Sequence, residues 1–392
     1  MAEWIECKIS DIGTVVGGAT PSTKKAENYE GGNIAWITPK DLSTFSGRYI
    51  QRGERNITEI GLKSCSTQLL PKNTVLFSSR APIGYVAIAA NEVCTNQGFK
   101  SVIPNVETDP LFLFYLLKHN KDKIEAMGSG TTFKEVSGNT MKNIIVRVPS
   151  DKEVQKNIAS ILGTLDDKIE ENERINNNLF EQMQALYKAW FVDFEPFGGV
   201  RPSSWNDTNI YAIANIIYGA PFASKLFNTD GLGKPIIRIR DLKEQAFVTF
   251  TTEEHPKGHL IQPGDIVVGM DGEFRPYIWG NEPAWLNQRV CIFESNRPQG
   301  KAFVLYTIKP LLNKIEQTQV ATTVIHIGKK DFDAFEIVLP DEATLDNFDS
   351  ITAPMIEQIV NNRLQNKRLA VLRDTLLPKL MSGELDVSDI DL

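Results

Sequence analysis

The sequence predicts an α+β protein in which two pseudo-repeated, strand-rich domains are separated by two long helices that form an antiparallel coiled coil. Three observations support this prediction. The chain repeats itself with an offset of about 190 residues, short β-favouring runs alternate with turn residues in both copies, and each copy is followed by a long amphipathic segment. At 392 residues the chain is long enough for two domains or more.

The repeat is carried by short motifs that recur in the same order. Solenoid repeats span roughly 20–50 residues, so an offset this large indicates a duplicated unit made of a whole domain and the helix after it. The matched segments are 94–98 with 285–289 (both with Asn-Gln), Thr131-Thr132 with Thr322-Thr323, and 145–149 with 336–340 (both ending in proline).

Residues 1–148 are predicted to form the first domain and residues 198–340 the second. In the first, a helix is expected over 110–126, because Asp109 can cap it and Pro110 suits its first position. The β-favouring runs, which glycine and proline separate, are 33–38, 74–77 and 85–89 in the first domain, and 235–240, 265–268 and 290–293 in the second.

Residues 149–197 and 341–382 are predicted to be the two long helices. Apolar residues recur there at spacings of three or four, which is typical of a coiled-coil seam. Pro196 and the glycines after it are expected to end the first helix, and Pro378 and Gly383 the second; residues 383–392 form an acidic tail. The predicted seam is Ile161, Leu165, Asn172, Ile175, Leu179, Leu186 and Trp190 in the first helix, and Met355, Ile359, Asn362, Leu369, Leu372 and Leu376 in the second.

Each helix has an apolar stripe that must be covered, and the simplest partner for each is the other. An asparagine in each seam, Asn172 and Asn362, would then fix the register at some expense in stability. The alternative is that each helix packs only on the domain that precedes it.

The composition indicates the cellular compartment of the protein. We find no apolar stretch long enough to span a membrane, and the first residues lack the pattern of a signal peptide. The cysteines Cys7, Cys65, Cys94 and Cys291 form no Cys-x-x-Cys pair. These features predict a protein of the reducing cytoplasm that has no membrane partner.

The net charge of −7 is unfavourable for a nucleic-acid binder at first sight. The acidic excess, however, is confined to the two helical segments, whereas the two domains are slightly basic or neutral. Net charge influences association and does not determine local contacts. A DNA-binding function therefore remains compatible with the composition.

Motifs of catalysis are missing from the sequence. It contains no phosphate-binding GxxxxGK[ST] loop, no GxGxxG fingerprint and no GxSxG elbow. The four histidines are scattered, and Asp265, Asp271 and Glu273 are better explained as turn and surface residues than as a magnesium site. We therefore predict no catalytic residue, no metal and no cofactor in this chain.

Polar and basic residues at comparable places in both copies are candidates for DNA binding. Arginine and lysine can pair with guanine, asparagine and glutamine with adenine, and serine or threonine with bases or phosphates. Any one of them could instead be a simple turn residue. The candidates are Thr20, Ser22, Lys24, Lys25, Lys40, Ser78, Arg80, Asn96, Gln97, Thr131 and Thr132 in the first copy, and Ser224, Lys225, Arg238, Arg240, Asn287, Gln288, Arg289, Thr322 and Thr323 in the second.

Several segments together resemble one known family, the specificity subunit of Type I restriction-modification enzymes. The similarity extends over essentially the whole chain. Its carriers are residues 36–42, 78–84, 95–99, 158–169, 186–194 and 376–385.

The resemblance implies that each domain is a target-recognition domain that reads one half of a bipartite, asymmetric site in double-stranded DNA. The helices would set the gap between the halves and dock two adenine-methyltransferase (modification) subunits. Restriction subunits with ATPase and nuclease activity would join them, so S-adenosylmethionine, ATP and magnesium would be bound by partners. The second copy departs from the pattern at Arg289, where the first has Gly98, and at 269–272, which replace 78–81. Two different half-sites would account for this divergence.

Two hypotheses of other classes remain open. The chain could be a coiled-coil scaffold that tethers two protein partners without reading DNA. It could also be a self-sufficient nuclease or methylase, although the missing motifs argue against that.

Overall fold

The computed structural model describes residues 3–80, 82–130, 134–318 and 326–387. The chain folds into two compact units. The first unit comprises Met1–Glu170 with Leu369–Leu392, and the second comprises Glu171–Arg368. Each unit therefore combines one copy of the repeat with a part of each long helix.

The first unit is built on a five-stranded sheet with the order β2-β9-β6-β7-β4, a three-stranded sheet β5-β3-β8 and the pair β1-β10. Its strands are β1 Trp4–Lys8, β2 Gly13–Gly17, β3 Ile34–Ile37, β4 Tyr49–Ile50, β5 Arg55–Ile57, β6 Val75–Ser79, β7 Ile83–Ala89, β8 Cys94–Thr95, β9 Lys100–Pro104 and β10 Ile145–Pro149. Its short helices are α1 Ile9–Ile12, α2 Pro39–Ser43, α3 Glu59–Lys63, α4 Pro110–His119, α5 Lys121–Ala126 and α6 Gly138–Asn143.

The second unit has corresponding sheets, with the orders β12-β20-β17-β18, β13-β15-β14-β19-β16 and β11-β21. Its strands are β11 Asn206–Asn209, β12 Ala214–Tyr218, β13 Phe227–Asn228, β14 Lys234–Ile237, β15 Phe250–Thr251, β16 Leu260–Ile261, β17 Ile266–Gly269, β18 Pro276–Ile278, β19 Ala284–Leu286, β20 Val290–Ser295 and β21 Glu336–Leu339. The long helix α7 Lys152–Phe191 and the helices α8 Lys301–Thr318, α9 Lys329–Asp333 and α10 Glu342–Ser382 complete the chain. Short 3-10 turns lie at Ala26–Asn28, Glu195–Phe197, Ile210–Ala212, Ser224–Leu226 and Ile239–Asp241.

Strand pairing confirms the internal repeat. In the first unit β3 and β8 run parallel with Trp36 opposite Cys94, and in the second β14 and β19 run parallel with Ile236 opposite Trp285. The later strands keep the offset of about 190 residues seen in the sequence, whereas the earlier ones are offset by about 200. The copies therefore share this parallel pair and differ in loop length and in the number of strands in each larger sheet.

The helices α7 and α10 pair antiparallel within each unit, which confirms the predicted coiled coil. In the second unit Asn176 contacts Asn362 and Trp190 contacts Phe348. Residues later in α7 thus contact residues earlier in α10, as antiparallel helices do. In the first unit Asp166 pairs with Arg373 in the same sense. The alternative in which a helix packs only on its preceding domain is wrong, because each domain core takes side chains from both helices.

The cores show this sharing directly. The main apolar cluster of the first unit includes Ile158 and Leu162 of α7 together with Leu377 and Leu380 of α10. That of the second unit includes Met183 of α7 and, from α10, buried residues such as Phe348. Full burial of such a side chain contributes roughly 1.5–3 kcal/mol. Each domain therefore depends on both helices for its core.

The predicted seam is partly correct. Leu179, Leu186, Trp190, Met355 and Ile359 pack in the core of the second unit, and Ile161 and Leu376 pack against that of the first. Leu372 is not in the seam: its side chain is 46 % exposed, because the next residue, Arg373, turns inward to Asp166. Leu165, Ile175 and Leu369 are half-buried and lie at the edge of the buried face.

Asparagines form a buried polar layer between the helices, as the sequence predicts for Asn172 and Asn362. Asn172 donates to Gln365 Oε1 at 2.7 Å and to Asn366 Oδ1 at 2.8 Å. Asn362 donates to Asn176 Oδ1 at 2.9 Å. The two predicted asparagines thus bond to different partners rather than to each other, and such amide pairs favour one register of the helix pair.

A second polar contact ties the first domain to α7. The guanidinium of the buried Arg48 bonds to Glu170 (Nε–Oε1, 2.9 Å), to Asp167 and to the carbonyl of Gly163 (3.2 Å). Burial lowers the pKa of Arg48, but these carboxylates outweigh it and raise that pKa above its ordinary value. Gly163 lies inside α7 where a β-carbon would be 3.1 Å from Leu111, which explains a glycine in a helix.

Two predicted boundaries need correction. The helix expected over 110–126 is divided into α4 and α5, because the side chain of Asn120 caps the carbonyl of Leu116 (2.8 Å). The helix α10 ends before Gly383, whose φ is 76°, as predicted, although it continues through Pro378. The helix α7 ends at Phe191, before Pro196 is reached, and Phe194 adopts a left-handed backbone there.

Two compositional expectations can be compared with the described residues. Among them, no helix is both long and apolar enough to cross a lipid bilayer. The four cysteines are free, and Cys94 and Cys291 are buried. Burial raises the pKa of the Cys94 thiol to about 11, which keeps it protonated and unreactive at neutral pH.

The asparagine layer can be tested by truncation. We expect Asn362→Ala to lower the free energy of unfolding by about 1–3 kcal/mol, because Asn176 would lose its partner in a buried site. Calorimetry of the full chain measures the effect. The control is Asn177→Ala, at the neighbouring exposed position of α7, where a change within about 0.5 kcal/mol is expected. Equal losses in the two variants would contradict a stabilising role for the layer.

Candidate nucleic-acid interface

Four loops of the first unit converge at one place and form what we call the first loop cluster, residues 18–20, 38–41, 78–80 and 96–98. Backbone bonds hold them together: Asn96 donates to Ile37 (3.0 Å), Ala19 to Thr95 (3.0 Å) and Ser79 to Gly98 (2.7 Å). The indole of Trp36 adds a bond to Ala19 (3.1 Å). The loops are therefore a fixed frame built on the ends of β2, β3, β6 and β8.

The second unit repeats this frame as the second loop cluster, residues 219–220, 238–241, 269–271 and 287–289. Ala220 donates to Leu286 (3.1 Å), Gln288 to Ala220 (2.9 Å) and Met270 to Arg289 (2.8 Å). The turns at 38–41 and 238–241 are also alike, since Asp41 accepts from the Thr38 amide (2.7 Å) and Asp241 from the Arg238 amide (3.0 Å). Burial raises the pKa of Asp241.

A glycine allows the close approach in each cluster. A β-carbon on Gly18 would lie 2.2 Å from the carbonyl oxygen of Thr95, and one on Gly219 would lie 1.9 Å from that of Asn287. No side chain fits at such distances without backbone movement. The Asn-Gln turn and the glycine turn are therefore packed directly on each other in both units.

Many of the predicted DNA-binding residues are exposed on or near these clusters. Thr20 donates to Gln97 across the first cluster, so two predicted residues are brought together. Lys40 pairs with Glu54 at 2.8 Å, and this bond raises the pKa of Lys40. The exposed candidates are Thr20, Ser22, Lys24, Lys25, Lys40 and Gln97 in the first unit, and Ser224, Lys225, Arg240, Gln288 and Arg289 in the second.

Other candidates serve the fold of the loops. The hydroxyl of Ser78 is fully buried, where it donates to Pro82 (2.9 Å) and accepts from the Tyr85 amide (2.8 Å), so it is not available to DNA in this structure. Asn96 closes its own turn by accepting from Gly98 (2.8 Å). Asn287 is buried, and Arg238 is half-buried and bonds to Thr249. For Ser78 and Asn287 the simple turn interpretation is therefore the better one.

The remaining candidates divide into one half-buried arginine and four threonines. Arg80 pairs with Glu135 (Nη1–Oε2, 3.6 Å), which also binds Lys100 (3.2 Å). The sequence did not single out Glu135 or Lys100, because a pairing across this distance along the chain has no local signature. Thr131, Thr132, Thr322 and Thr323 lie outside the described residues.

The acidic residues weighed as a magnesium site have other partners. Asp265 accepts from the Gln262 amide (2.7 Å), and Asp271 contacts His326 (2.7 Å). Within the part of the chain that the structure describes, histidine, cysteine and acidic side chains do not assemble into a group that could hold a metal ion. The clusters therefore display hydrogen-bonding and basic groups and, in the described part, no such metal centre.

Comparison with protein families gives a match over most of the chain. The model described as the Type I restriction modification DNA specificity domain matches residues 1–181 and again residues 202–373. The two matches follow the two copies of the repeat.

Individual relatives give the same result. The chain is 35 % identical to the Type I restriction enzyme MjaIX specificity subunit of Methanocaldococcus jannaschii, over 99 % of this chain and 95 % of the relative. It is 22 % identical to the HindI specificity subunit of Haemophilus influenzae, over 98 % of this chain and all of the relative. These similarities extend through the domains and both long helices.

A solved structure supports the fold. The S subunit of a Type I restriction-modification system from M. genitalium superposes with a TM-score of 0.59 at 16 % sequence identity, and covers 97 % of this chain and 96 % of that one. At this identity the likeness concerns the fold alone.

The glycine contact gives a test of the loop frame. We expect Gly18→Ala to destabilise the protein by more than about 2 kcal/mol, because its β-carbon would collide with the backbone of Thr95. The matched control is Gly17→Ala, whose β-carbon would have no neighbour closer than 4.0 Å. Thermal unfolding of the two variants measures the difference. Similar melting temperatures would show that the close packing of these loops is not required.

Proposed function

Because the chain belongs to the Type I restriction-modification DNA specificity family, we propose that its two loop clusters each read one half of a bipartite, asymmetric DNA site. The family assignment also supports a non-catalytic role, in which the chain selects the sequence and other subunits modify or cut it. We propose that DNA recognition belongs to the domains 1–148 and 198–340. The helical segments 149–197 and 341–382 would act as spacers, and residues 383–392 would form the tail.

One observation carries the proposal: the same loop frame occurs twice, with different side chains at its tips. Gly98 of the first cluster is matched by Arg289 of the second, and Arg80 by Asp271. Loops held on a rigid scaffold are common positions for recognition residues. Two loop frames with different residues at their tips are suited to two different half-sites. A scaffold that binds two identical partners would not require different residues there.

Exposed basic side chains beside the clusters are suited to phosphate contacts. Lys24 and Lys25 follow the glycine turn of the first cluster, and Lys225 follows that of the second. Lys40 and Arg240 share one place in the matching turns 38–41 and 238–241. Contacts to phosphate orient a protein on the duplex, while contacts to base edges supply specificity. We assign the first role to these cations and the second to exposed tip residues such as Gln97 and Gln288.

The long helices are the proposed docking surface for two methyltransferase subunits, and they would set the unread gap between the half-sites. Two adjacent exposed apolar side chains on α10, Val371 and Leu372, support a protein partner there. Restriction subunits would join this complex. Methyl transfer from S-adenosylmethionine to an extruded adenine, and ATP-dependent cleavage with magnesium, would take place in the partners.

We propose that the protein acts in the cytoplasm. Four free cysteines, of which two are buried, suit a reducing compartment.

Exchange of the first domain tests the two-reader proposal. We expect a chimera that takes residues 1–148 from a relative to methylate a site with one altered half, an unchanged second half and an unchanged gap. The donor should retain an arginine at the place of Arg48, because Arg48 bonds to Glu170 outside the exchanged segment. Mapping of methylated adenines in a host genome, with and without the chimera, provides the measurement.

The outcomes of this exchange are distinct. A change in both halves, or in neither half when the assembled complex remains active, would contradict two independent readers. Size-exclusion chromatography of the complex distinguishes these results from a failure of assembly.

Removal of two positive charges tests the phosphate contacts. We expect Lys24→Gln with Lys25→Gln to weaken DNA binding by the assembled complex similarly on all sequences, and to reduce the slope of log affinity against log salt by about 1.8. Fluorescence anisotropy across a salt series measures the slope. The control pair, Lys8→Gln with Lys72→Gln, at exposed positions at the end of β1 and before β6, outside the first loop cluster and the long helices, should leave the slope unchanged. If the complex without substitutions bound DNA with an affinity independent of salt, the scaffold hypothesis would be favoured instead.

A further inference from the structure

Arg289 at the tip of the second loop cluster has an unusual backbone. Its φ is 70°, a left-handed conformation that residues with a side chain seldom adopt. Its carbonyl accepts from the Met270 amide at 2.8 Å, which ties this conformation to the neighbouring loop. A strained residue that is also exposed is a reason to look for function, because the fold itself would be served better by glycine.

The guanidinium of Arg289 is directed by an acidic neighbour. Asp271 Oδ2 lies 3.9 Å from Arg289 Nε, and Asp271 Oδ1 lies 2.7 Å from His326 Nδ1. The side chain of Arg289 nevertheless remains 55 % exposed. The ion pair thus involves Nε of Arg289, and the exposed side chain remains accessible to a ligand.

The first unit has a corresponding bridge in which the charges are reversed. The strand-like bridge between Arg80 and Glu135 corresponds to that between Asp271 and His326. In the first unit the cation is therefore part of the bridge, and the turn beside it has Gly98. A β-carbon on Gly98 would lie 2.8 Å from Pro39, so that turn has no room for a side chain. In the second unit the arginine lies instead at the tip of the turn, at Arg289.

We propose that Arg289 reads a guanine in the half-site addressed by the second loop cluster, and that Asp271 positions it. This inference rests on the proposed function. An arginine fork can donate two parallel bonds to O6 and N7 of guanine in the major groove, a pattern that no other base presents. The first cluster, with Gly98 in this place, makes no equivalent contact. The two half-sites then differ in this base pair.

The main test replaces Arg289 with the residue of the first unit. We expect Arg289→Gly, in the complex with its methyltransferase partners, to reduce discrimination at one G·C pair of one half-site by about 5- to 100-fold. The other half-site and the gap should not change. Thermal stability should be unchanged or raised, because glycine tolerates the left-handed backbone. The control is Arg275→Gly, at an arginine of similar exposure in the same unit, and its methylation pattern should be that of the unaltered complex.

A conservative variant separates base reading from simple charge. Arg289→Lys retains the positive charge and lacks the flat fork. We expect it to lose discrimination at the same base pair and to keep the salt dependence of binding. If affinity instead fell equally on every sequence in Arg289→Gly and was restored in Arg289→Lys, Arg289 would be a phosphate contact and the inference would be wrong.

The positioning role of Asp271 has its own readout. Asp271→Asn should relax selectivity at the base pair affected by Arg289→Gly and nowhere else. The double variant should be no more relaxed than Arg289→Gly alone, since Asp271 would act only through the arginine. Additive losses would refute this role. An unaltered methylation pattern in all these variants would overturn the guanine assignment, while the domain exchange would still decide the proposed function.

Discussion

The antiparallel packing of α7 against α10 is the interaction on which the rest of the structure depends. Neither helix can bury its apolar face alone, and neither domain has a complete core without them. In the first unit Ile158 and Leu380 lie in one apolar cluster with the strands, and in the second unit Met183 and Ile359 do the same. Helix pairing and domain packing therefore rely on the same side chains in each unit.

Polar groups inside this packing select one arrangement among several apolar ones. The Asn176–Asn362 bond and the Asp166–Arg373 pair each have a partner only in the observed register. Buried polar pairs contribute little net stability, since desolvation offsets much of the attraction. A shift by one helical turn would leave these groups buried without partners, and that penalty disfavours other registers. The helices thereby hold their domains in a defined relation to the helix surface within each unit.

The loop clusters show how one scaffold can present two different surfaces. Backbone bonds and a glycine at Gly18 or Gly219 build the same frame in both units. Because the frame relies on main-chain groups, the two units can have different residues at its tips. Gly98 and Arg289 are the clearest such change, and each agrees with its own surroundings: Pro39 closes the first turn, whereas Asp271 orients the second.

The sequence by itself determined the duplication, the α+β class, the two long helices and the buried asparagines. These properties follow from periodicity and local propensity, which can be read along the chain. It also indicated the regions of the two clusters, because motifs such as Asn96-Gln97 recur in both copies. Only the tertiary structure decided which of those residues face solvent: Ser78 is buried and Gln97 is exposed. It also decided that Arg373, and not Leu372, faces the other long helix. The burial of a side chain and an ion pair such as that between Arg80 and Glu135 both depend on residues that are distant in sequence. Local sequence patterns do not indicate which distant residues come into contact.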